Sequence, residues 1–303
     1  MIMVRITRRG ALQSVAMGGA GISGEACAAP LLSEAVGYTL PRSKVVRLHS
    51  EINDVEYALY VRTPPAYVEG ADRYPVIVTL DADYSFAACA THLEHMAARR
   101  RQAPEAILVS VAYAGAHADP RAYRLNRTRD YTPVFIADGG YGPEYQRLSG
   151  GAPAFLRCLV EEILPLVERR WRADPGDRTL VGHSFGGLFA GWTLQTRPDS
   201  FNRYLLISPS LWYADDLLPR TEALGRVVKP RRPTRVYLAV GDQEEHARGV
   251  GHRMVSQMTD FAEALRARED LDLFVRHRVF EDETHASIFP AAFSTGIRKL
   301  FEP

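Results

Sequence analysis

Apolar residues alternate with others along Val55–Arg62 (Val55, Tyr57, Leu59, Val61), the two-residue period of a half-buried strand. Four later segments are short unbroken apolar runs that stop at turn-forming or polar residues: Pro75–Leu80, Ala106–Ala112, Arg178–Val181 and Arg235–Val240. Such runs fit strands covered on both faces, as in a parallel sheet. Arg203–Ile207 is a weaker run of the same kind, and Leu273–Phe280 closes the set. Between them, five segments have a helical pattern: Phe86–Arg100, Ala154–Arg170, Phe185–Gln195, Val255–Arg268 and Ile288–Phe301. In the second, Phe155, Leu159, Ile163, Leu166 and Val167 recur at helical spacing and make one apolar face. Strands alternating with helices predict an α/β fold built on a doubly wound, mostly parallel sheet. Ligands of such sheets bind outside the carboxyl ends of the strands. Nothing repeats and no low-complexity linker divides residues 29–303, so one domain is expected there.

One stretch breaks this rhythm. Ala114–Ala152 lacks convincing periodicity and is punctuated by glycines, which predicts a long loop insertion. It carries Tyr123, Tyr131, Phe135, Tyr141 and Tyr145 beside Arg121, Arg124, Arg127 and Arg129. So many aromatics argue against disorder, and ordered loops this long tend to be functional.

Composition narrows the partners. The chain of 303 residues is 46% hydrophobic and 24% charged, as in an ordinary globular protein. With 37 Lys+Arg against 36 Asp+Glu it lacks the electrostatic footprint of nucleic-acid binding. No apolar run reaches the ~18 residues that a membrane span requires. Nucleic acid and a membrane span are therefore not expected, composition by itself points to no small-molecule or other partner, and the oligomeric state is not legible.

The N-terminus reads as an address. Arg5, Arg8 and Arg9 precede a mildly apolar stretch that ends in Ala26-Cys27-Ala28. That order predicts a secretory signal peptide over residues 1–28 and a periplasmic or secreted protein. Thr7-Arg8-Arg9-Gly10-Ala11-Leu12 also resembles a twin-arginine signal, with Ala11 where that family usually has Phe. Gly19-Ala20-Gly21-Ile22-Ser23-Gly24 spells a dinucleotide-binding pattern, but no strand precedes it. Cys89 and Cys158 remain after cleavage and are expected to be buried free thiols.

The chemistry begins at Thr179-Leu180-Val181-Gly182-His183-Ser184-Phe185-Gly186-Gly187-Leu188. An apolar strand runs into G-x-S-x-G and then into a helix, the spacing that lifts a serine hydroxyl above a sheet on a sharp turn. Ser184 is the candidate nucleophile. It needs a histidine base held by a carboxylate, and in this fold the chain order is Ser, acid, His. Of His246, His252, His277 and His285, the last follows the final strand, where a loop can carry it back over Ser184. The acid should follow Arg235–Val240, where Asp242, Glu244 and Glu245 are all available. Candidate oxyanion donors are the backbone N–H of Phe185 and that of Ala82 or Asp83, after Pro75–Leu80. No metal or other cofactor is expected. His92-Leu93-Glu94-His95 lacks the H-E-x-x-H order, and no cysteine pair has zinc spacing.

From about Val45 to Phe301 the chain resembles the esterase D-like branch of the α/β hydrolases, most of all the trilactone-siderophore (ferric-enterobactin) esterases. The markers are Leu80-Asp81-Ala82-Asp83, Arg127-Thr128-Arg129-Asp130-Tyr131-Thr132-Pro133, Gly182-His183-Ser184-Phe185-Gly186-Gly187, Ser208-Pro209-Ser210-Leu211-Trp212 and Glu283-Thr284-His285-Ala286-Ser287. The resemblance implies an α/β-hydrolase fold and a serine carboxyl-ester hydrolase working through an acyl-serine. Its Gly-x-x-Glu pattern selects Glu244 as the acid. It also implies substrate contacts at Arg127, Arg129, Tyr131 and Trp212, with the arginines facing anionic groups, as in a ferric siderophore. Relatives commonly have Leu-Asp-Gly where Leu80-Asp81-Ala82 stands. The residues alone leave a second use for Arg127, Arg129 and Asp130, which is to tie the long loop together. Other activities compatible with the motifs are a feruloyl or acetyl polysaccharide esterase, an acyltransferase, and a non-catalytic siderophore or glycan binder.

Overall fold

The computed structural model describes residues 37–67, 73–99, 102–115, 119–246 and 253–302. The chain divides into two units, Met1–Tyr38 and Thr39–Pro303, and the fold is that of the second. The expected signal segment 1–28 and His252 lie outside the described residues.

Eight strands form one sheet: β1 (Ser43–Ser50), β2 (Val55–Arg62), β3 (Tyr74–Leu80), β4 (Ile107–Tyr113), β5 (Ala173–His183), β6 (Arg203–Ile207), β7 (Thr234–Gly241) and β8 (Leu273–Phe280). Their order is β1-β2-β4-β3-β5-β6-β7-β8. The β1–β2 and β2–β4 pairs are antiparallel and every other pair is parallel. This is the mostly parallel, doubly wound sheet that the apolar runs predict, in the α/β-hydrolase form that the family resemblance implies.

Two apolar layers cover it. Helices α1 (Ala82–Glu94) and α10 (Phe289–Leu300) bury Phe86, Leu93, Phe293 and Ile297 on one face, against Ile77, Leu108 and Leu205. On the other face lie α4 (Ala152–Cys158), a π-helical turn (Leu159–Ile163), α5 (Leu164–Trp171), α6 (Phe185–Thr196) and α9 (Met254–Arg266). Their Phe155, Ile163, Phe189 and Phe261 pack over Leu59, Val78, Leu180 and Leu238. Cys89 and Cys158 are buried free thiols in opposite layers. With a sheet about 10 Å from its packing layers between them, they cannot approach to disulfide distance.

Two departures from the sequence pattern have physical reasons. Strand β1 is an edge strand with Val45 61% exposed and only Val46 and Leu48 packed against the core, so it has little apolar alternation to detect. The stretch expected to be a long loop contains α2 (Pro120–Tyr131) and a short turn of helix, α3 (Pro143–Gln146). Asp119 caps α2 by accepting the N–H of Arg121 at 2.9 Å, and Pro120 occupies the first helical position, where its missing N–H costs nothing. Its buried positions are Arg127, Thr128, Asp130 and Tyr131. A helix whose inward face is charged and hydroxylated shows no hydrophobic period.

Candidate active site

The carboxyl ends of β3, β5, β6, β7 and β8 deliver the site. Strand β5 ends at His183, and Ser184 stands alone between it and α6 with φ 59° and ψ −119°. That left-handed φ is costly for a non-glycine residue and is a feature of strained functional turns. The turn closes because position 182 is glycine. A Cβ there would lie 2.0 Å from the carbonyl oxygen of Gly186. Ser184 donates its backbone N–H to Ile207 O (3.0 Å) and accepts at its own carbonyl from the N–H groups of Leu188 (3.0 Å) and Ser210 (3.1 Å). Its hydroxyl is 3.4 Å from Ser210 Oγ, its one hydrogen-bond partner among the described residues.

Glu244 and His285, the expected acid and base, come together at this edge. Glu244 lies in the short turn after β7 and is buried, whereas His285, on the loop between β8 and α10, has 43% of its side chain exposed. His285 Nδ1 donates to Glu244 Oε2 at 2.5 Å, which leaves Nε2 as the nitrogen free to take a proton. Glu244 Oε1 accepts the Gly241 N–H (2.9 Å) and the Ser208 hydroxyl (2.6 Å). The two loops are joined by Gln243 N–H donating to Glu283 O at 3.2 Å. A Cβ on Gly241 would meet that same Glu283 oxygen at 2.1 Å, so the approach requires glycine.

Geometry separates the three carboxylates that spacing alone left open. Glu245 accepts the Ser256 N–H at 2.9 Å near the start of α9, and Asp242 accepts the side-chain amide of Gln243 at the surface. Only Glu244 among the three pairs with a histidine ring nitrogen. His246 is exposed, and His277 is half-buried on β8 with its pKa lowered, by burial first and then by Arg266.

Both expected oxyanion donors open helices. Phe185 begins α6, and Ala82 begins α1 directly after β3, with only Asp81 between strand and helix. The first N–H groups of a helix have no acceptor inside it and point outward, where they favour negative charge. Asp81 is in a left-handed conformation (φ 58°), which lets the chain turn in a single residue.

Asp81 is also where Arg127, expected to contact substrate, is held. Arg127 is 4% exposed, and its guanidinium grips Asp81 in a fork, Nε to Oδ1 at 2.6 Å and Nη2 to Oδ2 at 3.1 Å. It also donates to Tyr141 OH and, at 3.4 Å, to His183 O. Burial pulls its pKa down, but Asp81 and the surrounding tyrosine hydroxyls more than offset that, and it stands well above the ordinary value. Arg129 is likewise committed, donating to Asp130 at 2.7 and 3.0 Å and to Asn126 at 2.8 Å. Asp130 in turn accepts Tyr57 OH at 2.8 Å, which fastens α2 to β2. Tyr131 is fully buried among Tyr113, Phe155 and Phe189. Arg127, Arg129 and Tyr131 thus brace the stretch over the site, and for the two arginines this is the second use that the residues alone left open. Trp212 does sit beside the nucleophile turn, its ring 5.9 Å from that of Phe185.

Residues to which the sequence assigned no role in the site complete the surroundings. Arg124 is exposed, lies over the ring of Tyr141 at 5.6 Å, and has no ion-pair partner among the described residues. Tyr141 packs edge-on against Phe185 at 5.4 Å. Tyr84 OH donates to Asp81 Oδ2 (3.2 Å) and lies 3.1 Å from His183 Nδ1. The His183 ring lies 4.6 Å from the His285 ring at an interplanar angle of 35°. Burial, then the His285 imidazole and Arg127, hold the His183 pKa well below the usual histidine value, so it is neutral at pH 7. His92 and Glu94 are used structurally, with His92 Nδ1 3.2 Å from Ser294 Oγ and Glu94 paired with Arg42 and Arg62.

A mostly parallel eight-stranded sheet, with a serine on a strained strand-to-helix turn and a Glu–His pair at the same edge, defines an α/β hydrolase of the serine-esterase type. The family model described as "Putative esterase" matches residues 50–271, and the chain belongs to that family. It is similar to the ferri-bacillibactin esterase BesA of Bacillus subtilis, 28% identical over 277 residues that cover 88% of this chain and 92% of that protein. The siderophore triacetylfusarinine C esterase of Aspergillus fumigatus is 27% identical over 289 residues, with 87% and 94% covered. The crystal structure of the BES protein from Bacillus cereus superposes with a TM-score of 0.77 at 26% identity, over 90% of this chain and 99% of that one. The protein is a carboxylic ester hydrolase.

Proposed function

We propose that the protein cleaves the ester bonds of an anionic siderophore trilactone, with Ser184 as nucleophile, His285 as base and then acid, and Glu244 holding His285. The observation that carries the catalytic assignment is the 2.5 Å contact between His285 Nδ1 and buried Glu244, at the same sheet edge as strained Ser184. Binding of the ester turns the Ser184 hydroxyl from Ser210 toward His285 Nε2. Nε2 takes its proton as Oγ bonds to the carbonyl carbon, and the carbonyl oxygen, now negative, is met by the N–H groups of Phe185 and Ala82. The carbon–oxygen bond to the alcohol then breaks, and His285 returns the proton to that oxygen. Water attacks the acyl-Ser184 by the same route, with its proton taken by His285, and releases the acid. Each round opens or cuts the trilactone at one ester.

Two features support an anionic siderophore. The relatives described above are named for ferri-bacillibactin and triacetylfusarinine C. Arg124 offers an exposed guanidinium stacked on Tyr141, beside the ring of Phe185, suited to anionic oxygens and aromatic planes. Iron belongs to the substrate in this reading. Mass spectrometry of parallel digests of an iron-loaded catecholate trilactone, a feruloyl sugar and an acetylated xylan tests it. Ring opening of the trilactone is the expected result, and release of ferulate or acetate alone would overturn the siderophore assignment.

Export follows from residues 1–28 in the same proposal. A mature protein beginning at Ala29 in the periplasm or medium is expected, read by N-terminal sequencing. An intact N-terminus in the cytoplasm would contradict it.

A further inference from the structure

The geometry points to Ser208 as a positioning residue that aims Glu244 at His285. This inference rests on the assignment of Glu244 as the acid. Ser208 is the first residue after β6, and both it and Glu244 are buried, 0% and 1% exposed. Its hydroxyl donates to Glu244 Oε1 at 2.6 Å, a short distance of the kind found when a hydroxyl meets a charged carboxylate. The Gly241 N–H occupies the same oxygen at 2.9 Å. With two donors on Oε1, the other oxygen is left to His285, and the carboxyl plane cannot rotate without breaking one of the three bonds.

The backbone is bent to place this hydroxyl. Ser208 has φ 41°, a left-handed value rare for serine, held by its N–H on Ala239 O at 2.7 Å. The turn it opens presses on the nucleophile as well. A Cβ on Gly187 would lie 2.9 Å from Pro209 Cα, and the Ser210 N–H donates to Ser184 O. One turn thus contacts both ends of the catalytic set. Strain kept at a buried polar residue beside such a set is the pattern expected where position matters to function.

Removing the hydroxyl has a predictable sign. Glu244 Oε1 loses a donor, more negative charge remains facing His285, and the imidazolium is favoured. The acid limb of kcat/KM should therefore move to higher pH. The other ionisable groups near the pair are His183, with Tyr84 and Arg127–Asp81 behind it, Asp242 and Glu245 on the loop after β7, and Asp282 and Glu283 on the loop after β8. All of them are unchanged by the substitution, so a shift reports the Ser208 contact.

The test compares Ser208→Ala, Ser208→Gly, Glu244→Gln and Ser208→Ala/Glu244→Gln on p-nitrophenyl butyrate across pH 5–9. Alanine keeps the backbone strain and glycine relieves it, while both remove the hydroxyl. Expected are a roughly tenfold fall in kcat with KM within about twofold for both, and an acid limb raised by about half a pH unit. The double variant should be no slower than Glu244→Gln alone, because the contact it removes has already lost its purpose. A glycine variant with the wild-type profile would overturn the proposal in favour of backbone strain alone. So would a further tenfold loss in the double variant. Wild-type activity in Glu244→Gln would overturn the assignment of the acid together with this inference, whereas a slow Glu244→Gln beside normal Ser208 variants would overturn this inference alone.

Discussion

At the turn between β5 and α6 the backbone makes its own contacts, whereas across Pro120–Gly151 charged side chains make them with partners far along the chain. Gly182 and Gly186 abut with no room for a methyl group, and Ser184 is held by main-chain bonds to Ile207, Leu188 and Ser210. In the overlying stretch Arg127 reaches back 46 residues to Asp81, and Asp130 reaches 73 residues to Tyr57. The first arrangement positions one atom by sterics and tolerates no substitution. The second positions a whole helix by electrostatics, and its members work as pairs. The difference suits different jobs: under the proposed mechanism the turn would carry the reacting Ser184 oxygen, and the stretch above it would form the walls.

Substitutions should separate the two. The largest effect is expected for Gly182→Ala, where the new Cβ meets backbone rather than a movable side chain. Ester turnover should fall by at least about a thousandfold, measured on p-nitrophenyl butyrate, with no second substitution restoring it. In the overlying stretch, Asp81→Asn or Arg127→Met alone leaves a buried charge unpaired and should cost about 3–5 kcal/mol in urea unfolding. The double variant should regain most of that loss, since neither new side chain is charged and asparagine tolerates the left-handed φ of position 81 while still hydrogen-bonding to Tyr84 and Tyr123. A double variant as unstable as the singles would erase the contrast.

Smaller effects test the walls themselves. Arg124→Gln should lower the ratio of kcat/KM for an anionic over a neutral p-nitrophenyl ester about fivefold, a difference that shrinks as salt is added. An unchanged ratio would remove Arg124 from the substrate's path. The smallest effect concerns His183, whose pKa is depressed in the folded protein. Above the ordinary histidine pKa both states are neutral and it contributes nothing to the pH dependence. As pH falls below about 6.5, the unfolded chain takes a proton that the folded one refuses, and stability is lost toward the folded-state pKa. His183→Gln should remove about 1 kcal/mol of the acid loss between pH 7 and 5.5 in thermal unfolding. An identical pH slope in both proteins would show that His183 is not held neutral.

The same contrast explains what could be read from the chain. G-x-S-x-G is legible because a steric turn must be written locally, in glycines two residues either side of Ser184. Strands β3 to β7 are legible because both of their faces are buried along runs that are therefore apolar. His285 could be singled out from its place after the last strand. Glu244 could not be separated from Asp242 by spacing, because both follow β7, and only its Gly-x-x-Glu context distinguished it. Helix α2 was invisible, since its inward positions hold Arg127 and Asp130 and the partners that make this tolerable are encoded elsewhere. Asp81 and Ser208 lay inside quoted motifs, yet nothing local says that one receives Arg127 and the other steadies Glu244. A charged pair across 46 residues leaves no periodic trace.

The central claim is that Ser184, activated by His285, forms the acyl-enzyme. A fluorophosphonate reacts with an activated serine and stays attached, so peptide mapping after labelling of the folded protein locates the nucleophile. The account predicts a single adduct on the peptide containing Ser184, absent in Ser184→Ala and formed at least about a hundredfold more slowly in His285→Ala. An adduct on another serine, or wild-type ester turnover in Ser184→Ala, would contradict it.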